Sequence, residues 1–535
     1  MTGPTTPTTG TTQARARHAS LSRDPADLIG GEWIAHPSGT LVSRNPARPD
    51  EAVWSGASSV GHVAQAIDAA RRALPAWAAL PIEKRAAVLR RFQANCKARL
   101  AAITTLIRDE TGKVQWDAAG EAGLLGAKVD ITLDDSATGA MRRVAAFEVP
   151  VSATRTGRAW FKPHGVMAVV GPYNFPMHLA NGHIVPALLM GNTIVFKPSD
   201  KTPACGQLLA ELFDEALRSE GAPAGVLNLV QGAADVASSL VSHSGIDGVL
   251  FTGSWAVGRR IMEANLDRPS RLVALEMGGN NPTVVMDDCD LRQAVVECVR
   301  CAFITTGQRC TCTRRIIVHE AIAPRFIAAL CKAASNLIVG DPSASYPVFM
   351  GPIITGEARN AVLEFQASLA RAGGEVLVSS SAIETASRGW YLSPGVVRVD
   401  RFAPTEHDAA HDAGCDLEVF GPLVRVSVVR SLDEAIEQAN ATRYGLAAAI
   451  FTKNQAAAQR FLHECRAGCI NVNTGTAGAS SKLPFGGVGL SGNHRPAGAF
   501  SLDYCAYPVA AMTETGTEAP LPTGMMLDDA WLSAR

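Results

Sequence analysis

The sequence predicts an α/β protein built on parallel sheets, with its chemistry gathered at the carboxyl ends of the strands. Two observations carry that expectation. Short, near-continuous apolar runs alternate with helical patterns, which is how a parallel sheet covered on both faces is written. Each run then stops at small or polar residues, where open α/β sheets bind their ligands.

Taken in order, the chain opens with "MTGPTTPTTGTTQARARHAS", rich in Thr, Pro and Gly, without an acidic residue, and carrying Arg15 and Arg17. Residues 1–28 read as a disordered tail, with an organelle transit peptide as the alternative. Order is expected from "LIGGEWIAHPSGT". From Val60 to Gly112 apolar residues recur at three- and four-residue spacing, which predicts helices, and Gly112 is a suitable helix terminator. These helices read as scaffold.

Five strands follow: "VMAVVGP" (166–172), "TIVFKPS" (193–199), "VLNLVQG" (226–232), "GVLFTGS" (248–254) and "LVALEMGG" (272–279). Their ends cluster Pro172 to Asn174, Lys197 to Ser199, Gly232, Gly253 with Ser254, and Glu276 to Gly279. A second α/β stretch, about 280–482, has "TRRIIVHE", "GEVLVSS" and "PLVRVSVVR" as strands. "CAYPVAAMT" reads as one more strand, and beyond Thr513 a Pro- and Gly-rich tail is expected to be loosely held.

Composition bounds the function. A length of 535 residues suggests roughly three domains, large enough to need no disulfide or metal staple. A net charge of −1 gives no electrostatic reason to expect nucleic acid or an anionic membrane as partner. No apolar run approaches the ~18 residues of a membrane span. Twelve scattered cysteines read as free thiols in a reducing cytoplasm.

Four of those cysteines pose a choice. Cys298-x2-Cys301-x8-Cys310-x-Cys312 has a superficial zinc-ligand spacing. However, Cys298 and Cys301 fall in the apolar helical pattern "LRQAVVECVRCAFI", where cysteine acts as a small hydrophobe. No metal is expected. Nucleophilic catalysis needs an activated thiol, a base and donors for an oxyanion. Cys310 follows Gly307-Gln308-Arg309, a positively charged approach that would favour thiolate. Glu276 sits at a strand tip before two glycines, and Asn174 ends another strand in "GPYNFP" with an amide to donate. "FTGSWAVG" places Gly253 and Gly258 between a strand and a helix, a turn that suits an anion but lacks the G-x-G-x-x-G fingerprint.

The set "GPYNFP", "FKPSD", "FTGS", "LEMGGNNP", "GQRC", "EVFGP" and "PFGGVGLSG" resembles the aldehyde dehydrogenase superfamily, in the family's order, over about residues 29–513. The resemblance implies an NAD-linked oxidation of an aldehyde to a carboxylate through a cysteine thiohemiacetal and thioester. Cys310, not Cys312, matches the nucleophile; Asn174 and the Cys310 N–H match the oxyanion donors; Glu276 matches the hydrolytic base, absent from members that acylate coenzyme A. Lys197, Ser199, Gly253 and Ser254 match residues at the adenosine ribose and diphosphate, and Glu418 and Phe420 those at the nicotinamide. Asp200, a carboxylate three residues after Lys197, should repel a 2′-phosphate and favour NAD over NADP.

Longer stretches, notably "GQRCTC" and "SGNHRP", resemble the superfamily branch that oxidises N-succinylglutamate 5-semialdehyde in arginine catabolism. A polyanionic substrate needs cationic donors, for which Arg309, His494 and Arg495 are the candidates. Another aldehyde is the alternative substrate, and a non-catalytic binding or structural homologue the alternative of a different class. The segment "RFAPTEHDAAHDAGCDLEVFGP" is longer than its family counterpart and lies directly before Glu418.

The implied architecture is a Rossmann-type cofactor domain (29–142 and 162–275), an α/β catalytic domain (276–482), and a small β oligomerisation flap (143–161 and 499–513). A C-terminal tail (514–535) follows. A homodimer or dimer of dimers is the expected assembly, because the flap strands would otherwise be exposed edges.

Overall fold

The computed structural model describes residues 16–37, 39–403 and 414–533. Two seven-stranded sheets organise it. The first carries, in spatial order, Leu272–Glu276, Gly248–Thr252, Val166–Val170, Thr193–Lys197, Leu227–Leu229, Ala26–Ile29 and Glu32–Ala35. The five expected strands are its parallel part, and the first two strands of the chain close it with antiparallel pairings. Val166–Val170 and Thr193–Lys197 are buried along their whole length, as strands covered on both faces must be.

Strand order reverses beside Val166–Val170. The chain steps one way to Thr193–Lys197 and then returns to the other side at Gly248–Thr252. In open α/β sheets such a reversal marks the ligand crevice at the carboxyl ends, which here falls between the Gly171–Asn174 segment and Gly253–Ser254. The second sheet orders Glu375–Val378, Gly395–Arg398, Leu423–Val429, Thr313–His319, Asn281–Val285, Ala447–Phe451 and Cys469–Val472. Only four residues separate its Asn281 from Glu276 at the edge of the first sheet, so the carboxyl ends of the first sheet and the amino ends of the second come to one place. Glu276 itself pairs with Thr252 and closes the first sheet, one residue past the border expected at 275.

The expected helical region is three helices, Val60–Ala78, Ile82–Ala98 and Leu100–Thr111, the last stopped by Gly112 at φ +76°. A fourth helix, Gln115–Thr132, follows. A separate three-stranded antiparallel sheet pairs Arg155–Pro163 with Phe147–Pro150 on one side and Ala506–Glu514 on the other.

The N-terminal expectation needs correction. Residues 16–28 are part of the fold rather than a disordered tail: Leu21, Ala26 and Leu28 are buried, and Arg17 bridges Trp54. Polar side chains do much of the tethering, which composition hides. Ser22 Oγ donates to Glu211 (2.6 Å), Ser20 Oγ donates to the Ala102 carbonyl (2.9 Å), and His18 Nε2 meets Asp109 (3.1 Å). At the other end, residues 515–533 are mostly exposed and carry only the short helix Asp529–Leu532.

Candidate active site

Cys310 stands where the helix Leu291–Phe303 gives way to the strand Thr313–His319. The turn between them is strained. Thr305 and Thr306 both have φ +55° and Gly307 has φ +70°, three consecutive left-handed residues of which two are β-branched. A Cβ at Gly307 would collide with the Gly421 carbonyl, so that position needs glycine. Side chains hold the turn open. Thr305 Oγ1 donates to Asp117 (2.5 Å), Thr306 Oγ1 donates to the Gly351 carbonyl (3.0 Å), and Asn281 Nδ2 donates to the carbonyls of Cys310 (2.7 Å) and Cys312 (2.8 Å).

All twelve cysteines are free thiols, and their settings differ. Cys298, Cys301 and Cys312 are buried, the first two on the inward face of their helix. Cys310 keeps partial exposure. Its thiol is pushed up from its ordinary pKa by desolvation and then by the nearby Glu418 and Glu276 carboxylates. The expected thiolate-favouring role of Arg309 is not what the structure shows. The Arg309 guanidinium donates to Asp117 (2.7 Å) and Thr305 Oγ1 (2.7 Å); desolvation raises the Cys312 thiol, and Arg309, after Arg314, opposes that rise.

Glu276 is 5% exposed at the tip of its strand, with Oε2 buried and without a hydrogen-bond partner. Desolvation holds its pKa well above the carboxylate range, against a single opposing N–H from Ala497. That N–H belongs to a loop, residues 484–498, which is laid along the edge strand. Met277 N–H donates to the Ser491 carbonyl (2.9 Å), Glu276 bridges Gly492, and Asn493 bonds the backbone of Leu275 and Val273. A buried carboxyl with a free oxygen and a raised pKa is suited to proton transfer.

Asn174 is buried, and its amide donates to the Gln308 carbonyl (3.0 Å), two residues before the thiol. Glu418 approaches from the second sheet's side. Its Oε1 accepts from Gly279 N–H (2.9 Å), and desolvation raises it to about 7 against the pull of Arg314. A side chain at Gly278 would overlap the Glu418 carboxylate, which explains the first glycine of "LEMGG" as a point of close approach. Phe420 lies beside Tyr173 (centroids 6.1 Å apart), with Arg314 over its ring. Cys310, Glu276, Asn174, Glu418 and Phe420 thus converge on one locus.

The remaining expected cofactor residues follow the carboxyl ends of the strands on either side of the reversal. Lys197 ends its strand 4% exposed, its ammonium lowered to about 8 by desolvation, with Asp200 and Asp235 pulling the other way. Ser199 Oγ lies against Asp200 (3.4 Å), whose side chain is exposed. Gly253 and Ser254 precede the helix Trp255–Glu263. Ser254 is its N-cap, yet its hydroxyl makes no capping bond, so the start of the helix stays open toward the crevice.

His494 and Arg495 are exposed on the loop past Asn493, His494 at φ +62°, and neither meets a carboxylate among the described residues. The longer segment before Glu418 falls largely at 404–413, outside the described residues. One grouping of possible metal ligands occurs among the described residues: Asp27, His36 and His62. Ala57 N–H donates to His36 Nδ1 (3.2 Å), so in the neutral ring the proton sits on Nε2, which lies 3.2 Å from Asp27 Oδ1 and offers no lone pair to a metal. The grouping is a buried carboxylate between two imidazoles.

Sequence reasoning passed over several residues that organise this locus. Asn280 and Asn281, within "LEMGGNNP", are two of them. Asn280 Nδ2 holds the Cys415 carbonyl (2.6 Å) on the way to Glu418, while Asn281 holds the Cys310 turn. Their signal was present: two amides running into a buried strand must find partners. Asp117, Glu121 and Lys128, all on the helix Gln115–Thr132, left no such signal.

Two parallel-sheet lobes meeting over a thiol, a buried carboxyl and a dinucleotide-type crevice define a dehydrogenase-like α/β enzyme. The comparisons give the particular family. The profile of the Aldehyde dehydrogenase family matches residues 33–508. N-succinylglutamate 5-semialdehyde dehydrogenase 1 of Caulobacter vibrioides is 43% identical over 486 residues, 91% of this chain and 98% of that one. The N-succinylglutamate 5-semialdehyde dehydrogenase of Chromobacterium violaceum is 42% identical over 487 residues, 91% and 96% of the two chains. Among solved structures, lactaldehyde dehydrogenase from Escherichia coli superposes with TM-score 0.82 at 29% identity, covering 94% of this chain and all of that one. Betaine aldehyde dehydrogenase from Staphylococcus aureus, in complex with NAD+, gives TM-score 0.83 at 26% identity over 93% and 96%. The chain belongs to the aldehyde dehydrogenase family.

Proposed function

We propose that this enzyme oxidises N-succinylglutamate 5-semialdehyde to N-succinylglutamate with NAD, a step of arginine catabolism. Relatives at 41–43% identity that carry this activity in their names support the substrate. The single structural observation that carries the mechanism is the convergence of Cys310, Glu276 and Asn174 on one locus.

In this reading the Cys310 thiolate attacks the aldehyde carbon, the C=O π pair moves to oxygen, and a thiohemiacetal oxyanion forms. The Asn174 amide and the Cys310 N–H hold its oxygen; losing one such donor typically costs ~10²–10³ in rate. A bound nicotinamide dinucleotide supplies the hydride acceptor. The loss of hydride from the thiohemiacetal carbon leaves a thioester on Cys310. Glu276 then takes a proton from water, the hydroxide adds to the thioester, and the C–S bond breaks to release carboxylate and free Cys310. The dinucleotide is assigned to the crevice at the strand reversal, with Lys197 and Ser199 at the ribose, Gly253 and Ser254 at the diphosphate, and Glu418 and Phe420 at the nicotinamide end. Asp200, exposed there and within electrostatic reach of Lys197, disfavours a 2′-phosphate and supports NAD over NADP.

Arg309, His494 and Arg495 are the proposed receivers of the substrate's carboxylates. His494 and Arg495 meet no carboxylate among the described residues, whereas Arg309 has its Nε and Nη2 committed to Thr305 and Asp117. Phe147, Val149 and Met512 stand exposed on the three-stranded sheet, which supports a homodimer, or a dimer of dimers, assembled through that flap. No described helix is long and apolar enough to cross a membrane, and twelve free thiols support a cytoplasmic setting.

The test is NADH formation with the succinylated semialdehyde against a panel of uncharged aldehydes, using wild type and Cys310→Ala. A preference for the succinylated substrate that vanishes in the variant supports the reading. Preference for an uncharged aldehyde would remove the substrate assignment and keep the chemistry. Turnover surviving in Cys310→Ala would remove the nucleophile.

A further inference from the structure

The helix Gln115–Thr132 buries three charged side chains on its inward surface, and each ends on a different segment of the active site. Asp117 is 4% exposed, Glu121 1% and Lys128 3%. Nothing in the helix packing demands charge, since Ala118, Ala122, Leu125 and Val129 fill neighbouring buried seats with apolar groups. Burying ions is costly, and apolar replacements of similar volume are often neutral or stabilising.

Their contacts are specific. Asp117 accepts from Thr305 Oγ1 (2.5 Å) and Arg309 Nη2 (2.7 Å), and so grips the left-handed turn that presents Cys310. Glu121 Oε1 accepts the N–H groups of Met177 (3.1 Å) and His178 (3.2 Å), at the start of the helix that follows Asn174. Its Oε2 takes the Lys113 ammonium (2.5 Å), which lies 3.3 Å from the ring centroid of Phe175, the residue after Asn174. Lys128 Nζ donates to the Gly498 carbonyl (2.8 Å) and Ser501 Oγ (2.9 Å), beside Ala497, whose N–H is the one held by Glu276.

We infer that this helix aligns the active site: Asp117 is a positioning residue for Cys310, Glu121 for Asn174, and Lys128 for Glu276. The inference rests on the roles proposed above for those three groups, and its failure is separable from theirs. Because each charge serves a different group, each substitution should slow a different step. A generic fold defect would slow all of them together.

The experiment compares full-length Asp117→Ala, Glu121→Gln and Lys128→Met with Cys310→Ala and Glu276→Gln. Three measurements are made: the iodoacetamide alkylation rate of Cys310, the pre-steady-state NADH burst, and steady-state turnover. Asp117→Ala is expected to slow alkylation about tenfold or more, with partial recovery in Asp117→Glu. Glu121→Gln should leave alkylation intact and slow the burst about tenfold. Lys128→Met should keep a fast burst but cut steady-state turnover about tenfold, copying Glu276→Gln, with thermal stability unchanged or raised. If Asp117→Ala does not fold, Thr305→Val removes the same contact from the other side.

Wild-type alkylation in Asp117→Ala or Thr305→Val would overturn the inference. So would Lys128→Met slowing burst and steady state equally. A Glu276→Gln enzyme without a burst, or an active Cys310→Ala, would instead remove the thioester reading beneath it.

Discussion

Two helices reach the Cys310 turn, and they are built on opposite principles. Leu291–Phe303 leads directly into it and buries Ala294, Val295, Cys298, Val299, Cys301 and Ala302, small apolar groups and inert thiols. Gln115–Thr132 packs against the turn from far away in sequence and buries Asp117, Glu121 and Lys128. The first delivers the nucleophile through chain connectivity, which needs nothing more than a well-filled core. The second reaches it only through side chains, and a buried charge must end on a partner. Cysteines near the site are therefore interchangeable with other small hydrophobes, except the partly exposed Cys310, while the charges are not.

That contrast can be broken in several places. The largest effect is expected where the two thiols of "RCTC" diverge: Cys310→Ala should remove turnover, while Cys312→Ala should keep it within about twofold and cost roughly 1–2 kcal/mol in denaturant unfolding. Equal losses in both would erase the distinction between exposed and buried thiol. Next comes Glu276→Gln, whose steady-state rate should fall by ~10²–10⁴, the usual reach of a general base. Asn174→Ala follows, at ~10²–10³ in the rate of the burst.

The pH dependence sharpens the same contrast. Glu276 and Cys310 both titrate above their ordinary values and both act deprotonated, so the turnover of wild type should climb with pH across the neutral and mildly alkaline range. A profile that falls there would contradict those roles. Lys128 behaves differently, because its folded pKa is lowered to about 8 from 10.5. The unfolded chain holds its proton more tightly between those values, so the buried charge penalises folding fully below about 8 and progressively less as pH rises. The Tm advantage of Lys128→Met should be largest at or below neutral pH and shrink above about 8. The smallest effect belongs to the apolar helix: Cys298→Ala and Cys301→Ala should leave kcat and KM unchanged, with losses of about 1–2 kcal/mol in stability.

How much of this was legible follows the same division. The five strands of the first sheet, their polar tips and the helix end at Gly112 can be read because apolar runs and glycine punctuate the chain locally. Cys310, Glu276 and Asn174 could be gathered because each sits at a strand or turn end. The pairing of Arg155–Pro163 with Ala506–Glu514 came from resemblance, since nothing local joins strands some 350 residues apart. Asp117 escaped because "QWDAAGEAGLLGAKVDIT" looks like an ordinary solvated helix; its charges turn inward only because their partners arrive from Thr305, Met177 and Gly498. The pairing of Arg309 with Asp117 is hidden for the same reason, because nearness in sequence points Arg309 at Cys310 instead. The N-terminal segment 16–28 looked featureless because its tethers are hydroxyls and one imidazole.

The central claim is that Cys310 carries the acyl group and Glu276 releases it. The most direct measurement is mass spectrometry of Glu276→Gln after mixing with aldehyde and NAD, followed by peptide mapping. The account predicts an acyl adduct on the peptide bearing Cys310, confined to that thiol. An adduct on Cys312 or another cysteine, or sustained turnover without any adduct, would contradict it.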